Sequence, residues 1–114
     1  MGYLPLEKLH QLYDGYRRLF RLNGQEYLLL QEDGRCSLLL NQCPHQQAPL
    51  HKATVEDNHI RCARHGIRFN LRTGQPDGGA SCGALVFLPL IYEGNSIGVD
   101  SALLSHQSLH FQRD

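Results

Sequence analysis

Two short segments, each pairing one cysteine with one histidine, are the feature that most constrains this chain. The first is Cys43-Pro44-His45, a C-x-H pattern, and the second runs from Cys62 to His65, a C-x-x-H pattern, with 16 residues between them. Thiolates suit zinc, cuprous copper and iron-sulfur clusters, whereas imidazoles suit zinc, copper and iron. The four side chains therefore predict a metal centre, and ligand type alone leaves the metal open.

The order of the ligands along the chain narrows the choice of metal. Zinc sites with two Cys and two His usually place both Cys on one short knuckle and both His on another. Here each segment supplies one Cys and one His, as in a two-iron cluster whose first iron is held by cysteines and whose second is held by histidines. This order favours the two-iron centre. A zinc site, or two unrelated buried thiols with surface histidines, remain the alternatives.

Short apolar segments separated by Gly and Asn predict an all-β fold. Asn23-Gly24 is typical of a tight hairpin turn, and the flanking segments form an antiparallel meander with a third strand. A last hairpin contains Pro89, which suggests an edge strand or a bulge. Because both Cys-His segments follow predicted strands, we expect two loops to meet at one end of a sandwich. The strands are predicted at residues 16–22, 26–31, 36–40, 59–61 and 67–70, and the last hairpin joins 86–92 with 97–99.

The length of 114 residues predicts a single domain spanning 1–114, with a core at about 15–100 and a docked or disordered tail at 101–114. The apolar runs are far shorter than the ~20 residues that cross a bilayer. No secretory signal is visible at the amino terminus. We therefore expect a cytoplasmic protein without a membrane partner, in which cysteines serve as thiols or metal ligands rather than in disulfides.

The zero net charge conceals a basic middle third. Residues 35–76 carry six basic and two acidic side chains, and the flanking thirds are acidic. Nucleic-acid binding is not expected, because so small an excess of charge beside one aromatic residue, Phe69, makes a poor platform. The basic residues are either solvated strand faces or a docking rim that steers an acidic partner. We call them the basic rim: Lys52, Arg61, Arg64, Arg68 and Arg72.

The two ligand segments resemble the loops of the Rieske iron-sulfur family, and the resemblance spans about residues 15–100. The first loop matches over residues 43–50, and the second matches at Cys62, His65, Gly66, Phe69, Thr73 and Gly74. The resemblance implies a Rieske-type antiparallel β-sandwich with two cluster-binding loops at one end and one [2Fe-2S] cluster. It also implies that Cys43 and Cys62 ligate the inner iron and that His45 and His65 ligate the outer, solvent-facing iron. Gly66 would let the backbone pass close to the cluster.

The chain departs from the high-potential members of that family at four positions. Those members carry a bracing cysteine in each loop, where this chain has Ala48 and Arg64. They also carry a serine and a tyrosine whose hydroxyls donate to sulfur, where this chain has Ile67 and Phe69. Fewer donors to the cluster disfavour its more negative reduced form, so we expect a low reduction potential of roughly −150 mV.

These features are similar to the soluble Rieske ferredoxins of bacterial oxygenase systems. The resemblance implies a one-electron carrier, not an enzyme, that passes electrons from a flavin-dependent reductase to a terminal oxygenase. A nitrite-reductase-like small subunit of a larger reductase and a redox-sensing subunit are the alternatives, and the oligomeric state is left open. Cys36 and Cys82 are expected to be packing or loop thiols. The remaining histidines are expected at the surface or in hairpins: His10, His51, His59, His106 and His110.

Overall fold

The computed structural model describes residues 2–44, 48–62, 66–78 and 83–104. Its strands pair antiparallel throughout, which confirms the all-β prediction. In chain order they are β1 Tyr3–Lys8, β2 Arg17–Leu22, β3 Gln25–Glu32, β4 Arg35–Leu40, β5 Thr54–Glu56, β6 His59–Arg61, β7 Arg68–Asn70, β8 Ile91–Glu93 and β9 Ser96–Asp100.

Three three-stranded sheets, with strand orders β1-β9-β8, β2-β3-β4 and β5-β6-β7, make up the described structure. The β2-β3-β4 sheet contributes side chains to two separate cores. Leu28 and Leu30 of β3 enter one core, while Tyr27 and Leu29 enter the other. Because successive side chains of a strand point to opposite faces, a strand covered on both faces has a continuous apolar sequence.

We name the two cores by their position. The site core joins the β2-β3-β4 sheet to the β5-β6-β7 sheet, and the base core joins it to the β1-β9-β8 sheet. The buried residues of the site core are Leu28, Leu30, Leu39, Cys43, Leu50, Ala53, Ile60, Cys62, Phe69, Leu71 and Leu85. Those of the base core are Tyr16, Leu22, Tyr27, Leu29, Leu38, Leu88, Ile97, Val99 and Leu104.

The hairpin between β2 and β3 forms where the sequence predicts it. Leu22 pairs with Gln25, so Asn23 and Gly24 are the two turn residues. Asn23 has a φ of 51°, the left-handed conformation that this type of hairpin turn requires. The next hairpin leads into β4, which ends at Leu40, three residues before Cys43.

Two strands are not predicted from the sequence. β1 pairs with β9 through partners such as Tyr3 and Asp100, although the predicted core begins only near residue 15. β5 pairs with β6 across the turn at Asp57 and Asn58. β1 is stabilised by a strand at the other end of the chain, and β5 is three residues long, so neither carries a local signal of its own.

The prediction of one strand over residues 86–92 is wrong. Residues 86–88 run beside β4 instead, since the Leu40 N–H donates to the Val86 carbonyl at 2.8 Å and the Leu88 N–H donates to the Leu38 carbonyl at 2.9 Å. Pro89 follows, and it has no N–H with which to continue such a ladder. The strand begins after it at Ile91, and β8 forms the edge of its sheet, the place where proline disrupts pairing least.

The start of the predicted tail is docked on the domain. Residues 101–104 form one helical turn, and Leu104 is buried in the base core. Residues 105–114, with His106 and His110, lie outside the described residues. Over the part of the chain that the structure describes, no helix is long and apolar enough to cross a membrane.

Candidate metal centre

Cys43 and Cys62 lie in the site core, at the ends of two strands. Cys43 follows β4 and is 0 % exposed, and Cys62 follows β6 directly and is 1 % exposed. Both sulfur-bearing side chains pack in one cluster with Ile60 and Phe69. The structure therefore places in one core the two cysteines that the sequence predicted to meet, and their role as ligands stays a prediction.

The two loops that follow these cysteines are each closed by a backbone hydrogen bond of the same kind. The N–H of Cys43 donates to the carbonyl of Ala48 at 2.7 Å, and the N–H of Cys62 donates to the carbonyl of Ile67 at 2.9 Å. Each bond spans five residues, so each loop starts at a buried cysteine and returns to it. His45 and His65 fall within these spans in sequence but lie outside the described residues, so their role as ligands stays a prediction.

Gly66 closes the second loop more tightly. Its N–H donates to the carbonyl of Cys62 at 2.8 Å, and its φ of 70° lies in the left-handed region. Residues with a Cβ are sterically disfavoured in this conformation, so the backbone itself favours glycine here. The close approach of this backbone to a cluster stays a prediction.

A third segment, which begins at Gly83, approaches the first loop. A Cβ placed on Gly83 would lie 3.6 Å from Cβ of Pro44, which shows that the two backbones are neighbours. Leu85 anchors the same segment by donating its N–H to the carbonyl of Gly74 at 2.9 Å. The chain at 83–88 thus links the turn after β7 to the first loop. Cys82, which precedes this segment, lies outside the described residues.

Two side chains that sequence reasoning missed fix the chain around the first loop. Asn41 is buried between β4 and Cys43, and its Oδ1 accepts the Leu50 N–H at 2.7 Å. Arg17 of β2 donates from Nη1 to the carbonyls of His51 and Ala53. Asn41 could have been found in the sequence, because it is a polar residue between an apolar strand and a candidate ligand. Nothing near Arg17 in the sequence indicates its contacts with His51 and Ala53.

Three of the four described residues of the basic rim are exposed, and Arg68 is half-buried. Lys52, Arg61 and Arg72 are exposed, and Arg61 lies opposite Arg68 in the β6-β7 register. Asp77 approaches Arg68, with 3.9 Å between Oδ2 and Nε, and lies 3.2 Å from Nε2 of His59. Arg64 lies outside the described residues. Positive charge at Arg61 and Arg68 therefore flanks the second loop in sequence, with partial compensation by Asp77. Arg72 lines a cavity with Arg35 and Asn58, beside the turn that precedes β6.

Cys36 is separate from the candidate centre. It lies on β4, packs against the base core, and its Sγ donates to Oε1 of Gln31 at 3.5 Å. Burial raises the pKa of the Cys36 thiol, which keeps it protonated at neutral pH. This confirms its prediction as a packing thiol. His59 begins β6 after a hairpin turn, and His51 is half-buried against Asn41.

The matched loops and their buried cysteines agree with a comparison to known protein families. The family model described as the Rieske [2Fe-2S] domain matches residues 2–89. The chain belongs to the Rieske [2Fe-2S] family. Its cofactor is therefore a Rieske-type [2Fe-2S] cluster. The donor chemistry fits this group, since two cysteine sulfurs lie in one apolar core and thiolates are the natural ligands of an iron-sulfur cluster.

Curated relatives of this Rieske chain match it over part of their length. Apoptosis-inducing factor 3 from Homo sapiens and from Mus musculus is 36% identical over 63 residues, which is 55% of this chain and 10% of the relative. The oxygenase component of dicamba O-demethylase from Stenotrophomonas maltophilia is 38% identical over 55 residues, 48% of this chain and 14% of that protein. The matched segment thus covers about a tenth of the first relatives' length.

Solved structures share the fold of this Rieske chain. The ferredoxin of carbazole 1,9a-dioxygenase from Nocardioides aromaticivorans IC177 has a TM-score of 0.74 and 24% identity, covering 87% of this chain and 97% of its own. A chain in a complex of reduced oxygenase and oxidised ferredoxin in carbazole 1,9a-dioxygenase has a TM-score of 0.74 and 20% identity. The match covers 87% of this chain and 93% of that chain. A protein assigned as the small subunit of an NADPH nitrite reductase has a TM-score of 0.71 and 15% identity. The match covers 86% of this chain and 97% of that protein. At these identities the likeness shows the fold alone.

Proposed function

We propose that this Rieske chain is a one-electron carrier in which Cys43 and Cys62 ligate the inner iron and His45 and His65 ligate the outer iron. The cluster supplies the ability to accept and release a single electron. The protein contributes the ligands, the loop geometry and an apolar environment, and it has no substrate chemistry of its own in this proposal.

One observation carries the ligand assignment. Both cysteines are almost fully buried in the site core, and each begins a loop closed by the same bond over five residues. An isolated structural thiol requires neither a loop nor a counterpart. Two similarly closed loops that start from one core provide a frame for a shared inorganic group. The position of each histidine two or three residues after its cysteine then supplies the second pair of ligands.

The apolar surroundings of the cysteines support a carrier of low potential. Phe69 is 0 % exposed and packs in the same core as both cysteines, and it brings no hydroxyl to this region. The side chain of Ile67 also lacks a hydrogen-bond donor, and it packs against the site core. A hydrophobic shell with few donors to sulfur stabilises the reduced, more negative cluster poorly. The expected potential is therefore at the low end of the Rieske range, roughly −150 mV.

The partners in this proposal are a flavin-dependent reductase as electron donor and a terminal oxygenase as acceptor, both in the cytoplasm. Ferredoxins of carbazole 1,9a-dioxygenase share the fold of this chain, and one of them forms a complex with its oxygenase. The basic rim adds a physical reason, because exposed Lys52 and Arg61, which lie near the two loops in sequence, attract an acidic surface and accelerate its encounter.

A second candidate function is that of a small subunit in a larger reductase. The observation that favours it is the shared fold of the protein assigned as a nitrite reductase small subunit, with a TM-score of 0.71. The same cluster would then pass electrons within one stable assembly rather than between transient partners.

Stopped-flow mixing distinguishes these functions. The chain is reduced by a purified flavin reductase and mixed with a terminal oxygenase, and absorbance of the cluster is followed. For the ferredoxin function we expect rapid reoxidation by the oxygenase and no stable complex between the two. Failure to reduce the oxygenase, together with co-purification with a reductase large subunit, would support the second candidate instead.

A pair of matched cysteine variants tests the ligand assignment in the same preparation. Cys62→Ser removes a proposed ligand from the site core, and we expect it to lose the cluster. Cys36→Ser makes the same chemical change on β4, outside the site core, and we expect it to keep iron and colour. Equal iron content in the two variants would refute the assignment of Cys62.

A further inference from the structure

Asn41 is a buried polar side chain that the proposed function does not use. It is 4 % exposed and lies between the end of β4 and Cys43, two residues before that proposed ligand. Buried amides cost free energy unless their donors and acceptors are paired, so such a residue needs a structural explanation.

The contacts of Asn41 determine how its amide is oriented. Oδ1 accepts the backbone N–H of Leu50 at 2.7 Å, which only the oxygen can do. Nδ2 then lies 3.1 Å from Nδ1 of His51 and 3.3 Å from Oε1 of Glu26, both of which can accept. The backbone N–H of Asn41 donates to the carbonyl of Glu26 at 2.9 Å. The residue thus ties β3 to both ends of the first loop.

The bond to Leu50 encloses the first loop from outside. The inner closure joins Cys43 to Ala48, and the Asn41 bond joins the residues that flank this closure on either side. Leu50 is 0 % exposed in the site core, so its N–H is not in contact with bulk water that could replace the side-chain acceptor of Asn41. A buried donor left without an acceptor carries its full desolvation cost.

We propose that Asn41 is a positioning residue that holds the first loop in the shape needed to ligate the cluster. It does so through the Leu50 bond, while His51 and Glu26 fix the direction of its amide. This inference rests on the assignment of Cys43 as a ligand in the proposed function. It adds that the loop geometry depends on a side chain that does not touch the metal.

The test compares Asn41→Ala and Asn41→Asp with the unchanged protein, each containing its cluster. Alanine removes the acceptor for Leu50. Aspartate keeps an acceptor at the same place, and it is combined with Glu26→Gln because the oxygen that replaces Nδ2 would otherwise lie 3.3 Å from the Glu26 carboxylate. For Asn41→Ala we expect iron release to a chelator to be roughly tenfold faster and the g-values of the reduced cluster in electron paramagnetic resonance to shift. For Asn41→Asp we expect g-values like those of the unchanged protein and the slower iron release.

Ile97→Ala is the control for general loss of stability, because Ile97 lies on β9 and is buried in the base core, not in the site core. It should lower the urea midpoint without shifting the g-values. The proposal is overturned if Asn41→Ala has unchanged g-values and releases iron no faster than Ile97→Ala does. It is also overturned if Asn41→Asp behaves like the alanine variant. Asn41→Gln, which displaces the oxygen by one methylene, gives the same comparison if the alanine variant does not fold.

Hydrogen-deuterium exchange of the peptide containing Leu50 separates this proposal from the proposed function. Loss of the acceptor should speed exchange at the Leu50 amide by roughly tenfold or more, with or without iron. A wild-type protein that binds no iron-sulfur cluster would refute the proposed function. Unchanged exchange in Asn41→Ala would refute the role of Asn41 in holding the loop.

Discussion

Gly74 offers the sharpest test of how the third segment is held against the metal centre. It lies in the turn after β7 with a φ of 79°, and its carbonyl accepts the N–H of Leu85. A Cβ at this position would lie 2.9 Å from Cε2 of Phe87 and 3.2 Å from the carbonyl oxygen of Leu85. Gly74→Ala therefore adds both a strained backbone and a steric conflict with the segment that leads back to Gly83 and Pro44.

Gly94→Ala isolates the steric part of this change. Gly94 has a φ of 59° in the turn between β8 and β9, and no described atom lies within 4 Å of the point that a Cβ would occupy there. Both variants therefore carry the cost of left-handed alanine, about 1–2 kcal/mol, and both restrict the unfolded chain equally. Overpacking adds about 1–3 kcal/mol to Gly74→Ala alone, because Phe87 can move but the bonded backbone of Leu85 cannot.

Urea titration followed by circular dichroism measures the difference. With the slope expected for a small domain, the additional 1–3 kcal/mol lowers the midpoint of Gly74→Ala by about 1 M relative to Gly94→Ala. Gly74→Ala should also lose the absorbance of its cluster at lower urea concentration than it loses its sheet signal, because the displaced segment contacts the first loop. Equal midpoints for the two variants would show that the third segment is not packed against this turn.

Three further predictions concern the potential, the charge and the pH dependence. Protein-film voltammetry should give a reduction potential of roughly −150 mV for the wild type, and a clearly positive value would contradict the low-potential assignment. Phe69→Tyr should raise the potential, because its hydroxyl adds a hydrogen-bond donor beside the cysteines. Arg61→Glu should slow electron transfer to an acidic partner at low salt and should match the wild-type rate near 1 M salt. The control Arg35→Glu, at the far end of β4, should leave the rate unchanged. Equal electron-transfer rates for both variants would contradict the docking role of the rim. Burial and the hydrogen bond to Glu7 raise the pKa of Tyr16 from 10.0 to about 12, so its contribution to stability is complete below pH 10 and falls as the pH rises towards 12. In urea midpoints measured from pH 8 upwards, Tyr16→Phe should reduce the fall in stability with pH, and the control Tyr13→Phe should not. The same pH dependence in both variants would contradict the assignment of this fall to Tyr16.

The parts of the fold that depend on local chemistry were predictable from sequence. Asn23 and Gly24 specify their turn whatever surrounds them, and the two strands that they join follow within a residue or two. The Cys-His spacing likewise specifies a pair of loops, and the structure brings their cysteines into one core. These features follow from neighbouring residues, so they needed no knowledge of the rest of the chain.

The parts that depend on distant partners were not predictable. β1 has a proline in its middle and is ordered by pairing with β9, and residues 86–88 are extended because β4 offers them partners. Asn41 and Arg17 bind backbone groups nine and more than 30 residues away, so their role appears only once the sheets are assembled. The two histidine ligands remain predictions from sequence and family.

The cluster's four proposed ligands, two cysteines and two histidines, are tested most directly by two measurements on one sample. These are metal analysis of anaerobically purified protein and pulsed electron paramagnetic resonance of its reduced form. We expect two irons per chain and two strongly coupled nitrogens, one of which disappears in each of His45→Ala and His65→Ala. Stoichiometric zinc in a colourless protein, or a cluster without coupled nitrogen, would contradict this ligand set.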